Sequence, residues 1–557
     1  MQVGWVSDEW FRAIADATVE LTPVQPATGD PSGTGGGADG DRTSGPNRTG
    51  ADVAPVVLRS GPSGAVFGEV EPGEYEAVVA APGHGPKRAQ LRVDPVEPVQ
   101  IRLLGDQAYG YCWPKWTRAG GESQLRVHAP VDHEITLWRH GWEREQVAHV
   151  GHFGSHPPDA TRQVLPDGDI AALGARWCAN WSFPPVDPRL AATAPDRSGL
   201  YWFHLKDRQG RHTSWPWVVA PAEPTARIAV LASTLTWNAY NDWGGRSNYT
   251  AAARLAERPS VYSHQEDVWF TDPARPPWDV TDYDPLSFDR PEPVNAVLED
   301  EEITDPIVSR GAEHVAPAEW RLIGWMEREG FAHDVWADAQ LATGELPLDA
   351  YDVLVISTHP EYWTVGMLDT VLTWVRDRGG KLAYLGGNGI NGPVELSDDG
   401  TALVALNGRW SAEDTTTRME NLLHASGGSE AALLGVVTTM TGYETGAPYR
   451  VLAADHWAFA GTGLRDGDRF GHASLDRRAV GGASGHETDK RNASTPEAAV
   501  LLAKGTNPDD GGGEMLHIPF EGGGEVFSVG SISYTCSIAV DPVVSQVTAN
   551  VLRHFLA

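Results

Sequence analysis

Residues 351–389 read YDVLVISTHPEYWTVGMLDTVLTWVRDRGGKLAYLGGNG. The first eight form an almost unbroken apolar run, as a strand buried on both faces requires. Thr364 stands where a helix N-cap belongs, Leu368, Val371, Leu372 and Val375 recur at helical spacing, and Gly379-Gly380 supplies a stop. KLAYLGG (381–387) is a second strand. A strand, a helix and a strand in this order predict a parallel pair joined by a crossover. Ligands of such units gather outside the carboxyl ends of the strands. His359, Glu361 and Tyr362 follow the first strand and Asn388 follows the second, so all four are expected at one edge. Singly, Glu361 reads equally well as a helix cap and Tyr362 as packing beneath the helix. Their shared edge is what marks a site.

The pattern extends in both directions. RIAVLAST (227–234) is another buried strand, PAEWRLIGWMEREGF (317–331) a helix, HDVWAD (333–338) a strand, and DPVVSQVTANVLRHF (541–555) an amphipathic helix. This order predicts an α/β domain with a mostly parallel sheet over about 225–557. TLTWNAYNDWGG (234–245) follows the first strand and brings Tyr240 and Asn241 to the same edge as substrate-binding residues.

Upstream the idiom is different. Residues 65–104 show short β-rich runs broken by Pro-Gly and Gly-His-Gly, which predict a small antiparallel β domain over 18–104. Within it, residues 28–53 are rich in Gly, Ser, Asp and Thr without apolar periodicity and read as a flexible loop. Residues 107–220 carry alternating, aromatic-rich strands of the Ig-like or sandwich kind, and PAEPTA (221–226) reads as a linker.

Composition bounds the function. The chain has 557 residues, 41% of them apolar and 22 of them Trp, which suffices for two to four domains with real cores. With 43 basic against 75 acidic residues the net charge is −32, which argues against nucleic acid and anionic membrane as partners. Cys112, Cys178 and Cys536 are odd in number and far apart, so neither a disulfide framework nor a zinc knuckle is expected. The N-terminus carries Asp and Glu where a signal peptide needs an apolar core, so a soluble, cytoplasmic protein is expected.

LGGNGI (385–390) has the strand-turn-helix look of a nucleophile elbow, but its central residue is Asn388. An amide cannot attack a carbonyl, so Asn388 is expected to donate to an oxyanion or hold a carbonyl substrate. Cys536, after a strand, is the remaining candidate nucleophile.

STLTWNAYNDWGG, STHPEYWTVGMLDTVLTWVRDRGGKLAYLGGNG, APYRV…DHWAFAGTGLRDGDRFG, VGGASGHETDK and GEVFSVGSISYTCSI…VVSQVTANVLRHF occur in this order over about residues 225–557. Together they resemble the C-terminal catalytic domain of the N,N-dimethylformamidase large (β) subunit family. The resemblance implies a fold related to class I glutamine amidotransferases, without that family's nucleophilic Cys. It also implies hydrolysis of a C–N amide bond at a mononuclear iron held by two tyrosines and a glutamate. Tyr362 of HPEY matches one iron-binding phenolate. The second tyrosine is expected on the helix of EWRLIGW, where this chain has Arg321; a guanidinium cannot ligate a metal, so Arg321 is expected to bind the substrate and stabilise its oxyanion instead. The glutamate falls between GGNG and APYRV, at Glu444 or Glu430. His486 and Glu487 of GHETD join His359, Glu361 and Asn388 as catalytic candidates, with Glu487 deprotonating a water or protonating the leaving amine. Arg450, His456 and Trp457 in PYRV…DHW read rather as a structural turn.

A small-molecule amide is therefore the expected substrate, iron the expected cofactor, and a small subunit or further copies of the chain the expected partners. The competing expectation is a degenerate member of the same family that uses its β domains and α/β cleft to bind a glycan or a protein.

Overall fold

The computed structural model describes residues 1–24, 54–154, 163–177, 190–251, 254–261, 283–304, 314–406 and 428–557. The Gly-rich segment 28–53 and Cys178 lie outside them. The chain divides into two compact units. One comprises Met1–Asp106, Val164–Ile170 and Ala256–Val268; the other comprises Gln107–Gln163, Ala171–Leu255 and Trp269–Ala557. Among the described residues no helix is long and apolar enough to cross a membrane.

The first unit holds two small sheets. The strand Gln2–Ser7 lies between Ala65–Phe67 and Val99–Arg102, and a four-stranded antiparallel sheet joins Val56–Arg59, Thr18–Pro23, Gly73–Ala80 and Lys87–Val93. Alternation drives the packing: in GEYEAVVA, Tyr75, Ala77 and Val79 turn inward to meet Val19, Leu21 and Leu91.

In the second unit a five-stranded sheet is ordered Arg144–Phe153, His133–His140, Gly199–Asp207, His212–Ala220, Trp116–Arg118. One face packs Leu137, Phe203, Leu205, Trp215 and Trp217 into a sandwich core. The other face contributes Trp202, Val218 and Ala220 to the core of the sheet that follows in sequence. A histidine cluster is buried between these strands. His204 meets His212 at 2.9 Å, the rings of His140 and His204 lie 5.7 Å apart, and His140 packs against Trp202 and Trp320.

The large sheet has nine strands: Asp334–Ala337, Ile228–Ala232, Val353–Thr358, Lys381–Gly386, Glu525–Ser528, Glu514–Pro519, Val500–Gly505, Tyr449–Val451 and Arg469–Phe470. The first five pair in parallel and the remaining pairings are antiparallel. The helix Val365–Arg378 crosses from the 353–358 strand to the 381–386 strand, capped by the Thr364 side chain and ended by Gly379 in the left-handed region. It buries Met367, Leu368, Val371, Trp374 and Val375.

The expected mostly parallel α/β architecture of the glutamine amidotransferase kind is not the one that forms. Strand takes 36% of the structure against 18% for helix, and the sheets are antiparallel or mixed. The reason lies in the connections. Residues 506–513 and 520–524 join successive strands, and a parallel crossover needs a dozen residues or more, so these strands must turn back on one another.

Candidate active site

The polar centre is built where the 353–358 strand leaves the large sheet. Thr358 ends that strand with φ 64°, an uncommon conformation for a β-branched residue. Close backbone approach fixes it: a Cβ on Gly386 would sit 2.7 Å from the Thr358 carbonyl oxygen, and the Gly387 amide donates to that oxygen. The kink delivers His359, Glu361 and Tyr362 to the carboxyl edge of the parallel strands.

His359 Nδ1 lies 3.0 Å from the Gly387 carbonyl, which turns Nε2 toward Tyr240 Oη and Glu361 Oε2, each at 2.9 Å. Tyr240 closes the short helix Thr234–Tyr240 and donates to Glu361 Oε2 at 2.9 Å. Tyr249, nine residues further on, donates to the same oxygen at 2.6 Å, and Tyr362 donates in turn to Tyr249 at 2.9 Å. The rings of Tyr240 and Tyr249 are 4.3 Å apart. One carboxylate oxygen therefore gathers two phenols and an imidazole.

Opposite Glu361 stands Glu487, with Oε2 3.9 Å from His359 Nε2. Asn388 Nδ2 donates to that oxygen at 2.7 Å. Asn388 has φ 47°, which Asn tolerates better than most side chains, and its backbone N–H donates to Asp489 Oδ1 at 2.8 Å. Asp489 is held from beneath by the Tyr384 hydroxyl at 2.7 Å. The His314 ring packs against those of Tyr240, His359 and His486, and His486 Nδ1 lies 3.7 Å from Asp476 Oδ2.

Burial and charge set the protonation states. Burial opposes a charge on His359, but Glu361, with Glu487 adding, raises its pKa to about 9. Burial first, then the Glu361 charge, pushes the phenols of Tyr240, Tyr249 and Tyr362 well above their ordinary values. Burial also raises the Asp489 carboxyl to about 7, against the hydrogen bonds from Tyr384 and Asn388.

Of the residues expected from sequence, Tyr240, His359, Glu361, Tyr362, Asn388 and Glu487 come together here, with His486 adjacent through His314. Others go elsewhere. Asn241 donates to the Pro291 carbonyl and accepts from the Trp243 amide, so it shapes a turn. Arg321 faces the Ser533–Ile538 helix, with Nη1 3.5 Å from the Cys536 sulfur. Glu444 pairs with Arg478 on a half-exposed rim, and Glu430 is buried at the start of the Ala431–Leu434 helix. His456, Trp457 and Arg450 belong to a separate region. There His456 meets His517, and Trp457 stacks on His554 around Glu525.

Tyr249 was not anticipated, because a tyrosine in an Asn- and Gly-rich loop carries no periodic signal. Its only sequence cue is closeness to Tyr240. His314 had no cue. Among the described residues no three His, Cys, Asp or Glu side chains converge to hold a metal. The convergent donors here are two phenols and one carboxylate, a hard oxygen set of the kind that suits ferric iron.

The sequence profile of the N,N-dimethylformamidase beta subunit-like C-terminal family matches residues 134–549. The N,N-dimethylformamidase beta subunit of Paracoccus aminophilus is 25% identical over 425 residues, covering 66% of this chain and 54% of the relative. The beta subunit of the same name from an Alcaligenes species is 26% identical over 284 residues, covering 43% of this chain and 37% of the relative. The chain thus spans about half the length of its better-covered relative. On a match across three quarters of its length, the chain belongs to the N,N-dimethylformamidase beta subunit-like family.

Proposed function

We propose that this protein hydrolyses the C–N bond of a small amide, with Tyr240, Tyr249 and Glu361 holding an iron ion. The observation that carries the reading is the convergence of two buried phenol hydroxyls on one carboxylate oxygen, at 2.9 and 2.6 Å. The donor set differs from the one read from sequence: Tyr249 takes the role given to Tyr362, Tyr240 the role sought at Arg321, and Glu361 the role sought at Glu444. Tyr362 stands one hydroxyl further out and orients Tyr249. When bound, ferric iron supplies Lewis acidity to polarise the amide carbonyl and acidify a water.

The chain's own residues manage the protons. Glu487 Oε2, oriented by Asn388, takes a proton from water as the water oxygen bonds to the carbonyl carbon. His359, whose Nε2 lies 2.9 Å from Glu361 Oε2, gives a proton from that atom to the nitrogen as the C–N bond breaks. An acid and an amine leave. The buried setting strengthens each of these interactions. Because the chain spans about half of its better-covered relative, a small subunit or additional copies remain part of the proposal for the working assembly.

Purified protein should carry about one iron per chain and a tyrosinate-to-iron charge-transfer band, and should release amine from a small amide. Protein that stays colourless and inert after iron is supplied favours the binding role instead.

A further inference from the structure

Asp489 is 1% exposed and lies on the short strand Thr488–Lys490, two residues after the proposed base Glu487. The two carboxylates take different parts of the turn that follows the 381–386 strand. Glu487 Oε2 accepts from the Asn388 side chain at 2.7 Å. Asp489 Oδ1 accepts from the Asn388 backbone N–H at 2.8 Å, and Oδ2 accepts from the Tyr384 hydroxyl at 2.7 Å. That hydroxyl in turn accepts from the Gly389 N–H at 2.9 Å. One buried carboxylate therefore fastens two successive backbone amides, the first directly and the second through a phenol.

The turn held in this way touches both proton-handling groups. The Gly387 carbonyl lies 3.0 Å from His359 Nδ1, and the Asn388 carboxamide orients Glu487. A displacement of the turn would move the proposed acid and the proposed base together. Its backbone needs holding, because Asn388 has φ 47°, a conformation that persists only where the surroundings determine it. Neither side-chain hydrogen bond of Asp489 goes to Tyr240, Tyr249 or Glu361, so the clamp is separate from the proposed iron donors.

We propose that Asp489 is a positioning residue of the reaction, which with Tyr384 clamps the 386–389 turn and so sets His359 and Glu487 in register with each other. This rests on the amide-hydrolase reading above and deepens it. A carboxylate fits the task because both of its oxygens accept. A carboxamide of the same shape would set an NH2 group against one of the two donors.

The test uses the full iron-loaded chain and whichever of formamide, N-methylformamide, N,N-dimethylformamide and acetamide the wild type cleaves fastest. Asp489→Asn should lower kcat per iron-loaded chain by on the order of 10- to 100-fold and leave KM within about threefold. Its iron content and charge-transfer band should match those of the wild type. Tyr384→Phe removes one arm of the clamp and should lower kcat by about 3- to 10-fold. Because the two residues act as a unit, the double variant should stay within about threefold of Asp489→Asn alone. If Asp489→Asn does not fold, Tyr384→Phe decides by the same criteria. An unchanged kcat, a loss carried by KM alone, a loss that only tracks lost iron, or fully multiplicative losses in the double variant overturn the inference and leave the hydrolase reading standing. A wild type that cleaves none of the four amides removes the hydrolase reading, and this inference falls with it.

Discussion

His204 offers a quantitative test of how the second unit holds its histidines. It is buried on the 199–207 strand, with Nδ1 against His212 and with His140 and Arg144 close by. Burial first, then His212 and Arg144, lowers its pKa from 6.5 to about 3. The folded state therefore binds the proton less readily than the unfolded chain, and stability falls as the pH drops below about 6.5. For these two values the protein loses about 2 kcal/mol between pH 7 and pH 5 through this residue alone. His204→Asn keeps a polar atom near Nδ1 but cannot titrate. Urea unfolding followed by Trp fluorescence at both pH values should show the variant losing about 2 kcal/mol less than wild type on acidification. Equal losses, within about 0.5 kcal/mol, would refute a neutral, buried His204 and point instead to a solvated ring.

Tyr249→Phe removes the hydroxyl 2.6 Å from Glu361 and should lower iron affinity by at least on the order of 100-fold, whereas Tyr362→Phe should cost on the order of 10-fold; metal analysis and the charge-transfer band report both. Burial raises the Glu319 carboxyl to about 8, where it accepts from the Trp237 indole and the Ser233 amide at the base of the helix that carries Tyr240. Glu319→Gln should therefore stay within about 1 kcal/mol of wild type at pH 7, while Glu319→Leu should cost about 2–3 kcal/mol by stranding those donors. A Cβ at Gly387 would meet the Glu487 carbonyl and the Ile532 amide at 2.6 Å, so Gly387→Ala should abolish amide turnover even where circular dichroism shows a folded chain. Full activity in that variant would mean the 386–389 turn does not position His359.

The crossover unit was legible because every level of its sequence agrees. Apolar runs buried on both faces, a Thr cap and a Gly stop all demand one arrangement around the 365–378 helix. The antiparallel half of the large sheet was hidden because its strands are short and β-rich, and only the length of residues 506–513 and 520–524 sets their direction. Within the site, His359, Glu361 and Asn388 could be read because strand ends are where α/β chemistry collects. Tyr249 and the true neighbourhood of Arg321 could not. The first depends on how an irregular loop folds back, and the second on which face of the Ala316–Arg328 helix meets the Ser533–Ile538 helix.

The hydrogen bonds of the site join residues far apart along the chain: Tyr240 to Glu361 across 121 positions, and Asn388 to Glu487 across 99. The 381–386 strand likewise finds one neighbour only at Glu525–Ser528. A nascent chain that has emerged as far as Asn388 holds both phenols, the histidine and one carboxylate, yet lacks the strand that completes that side of the sheet. Closing such distant pairs is slow, because the entropy of the intervening loops is lost before the contacts form. The polar centre should thus be among the last parts to mature during synthesis. Ribosome-bound chains stalled ahead of residue 525 should fail to retain iron even when it is plentiful.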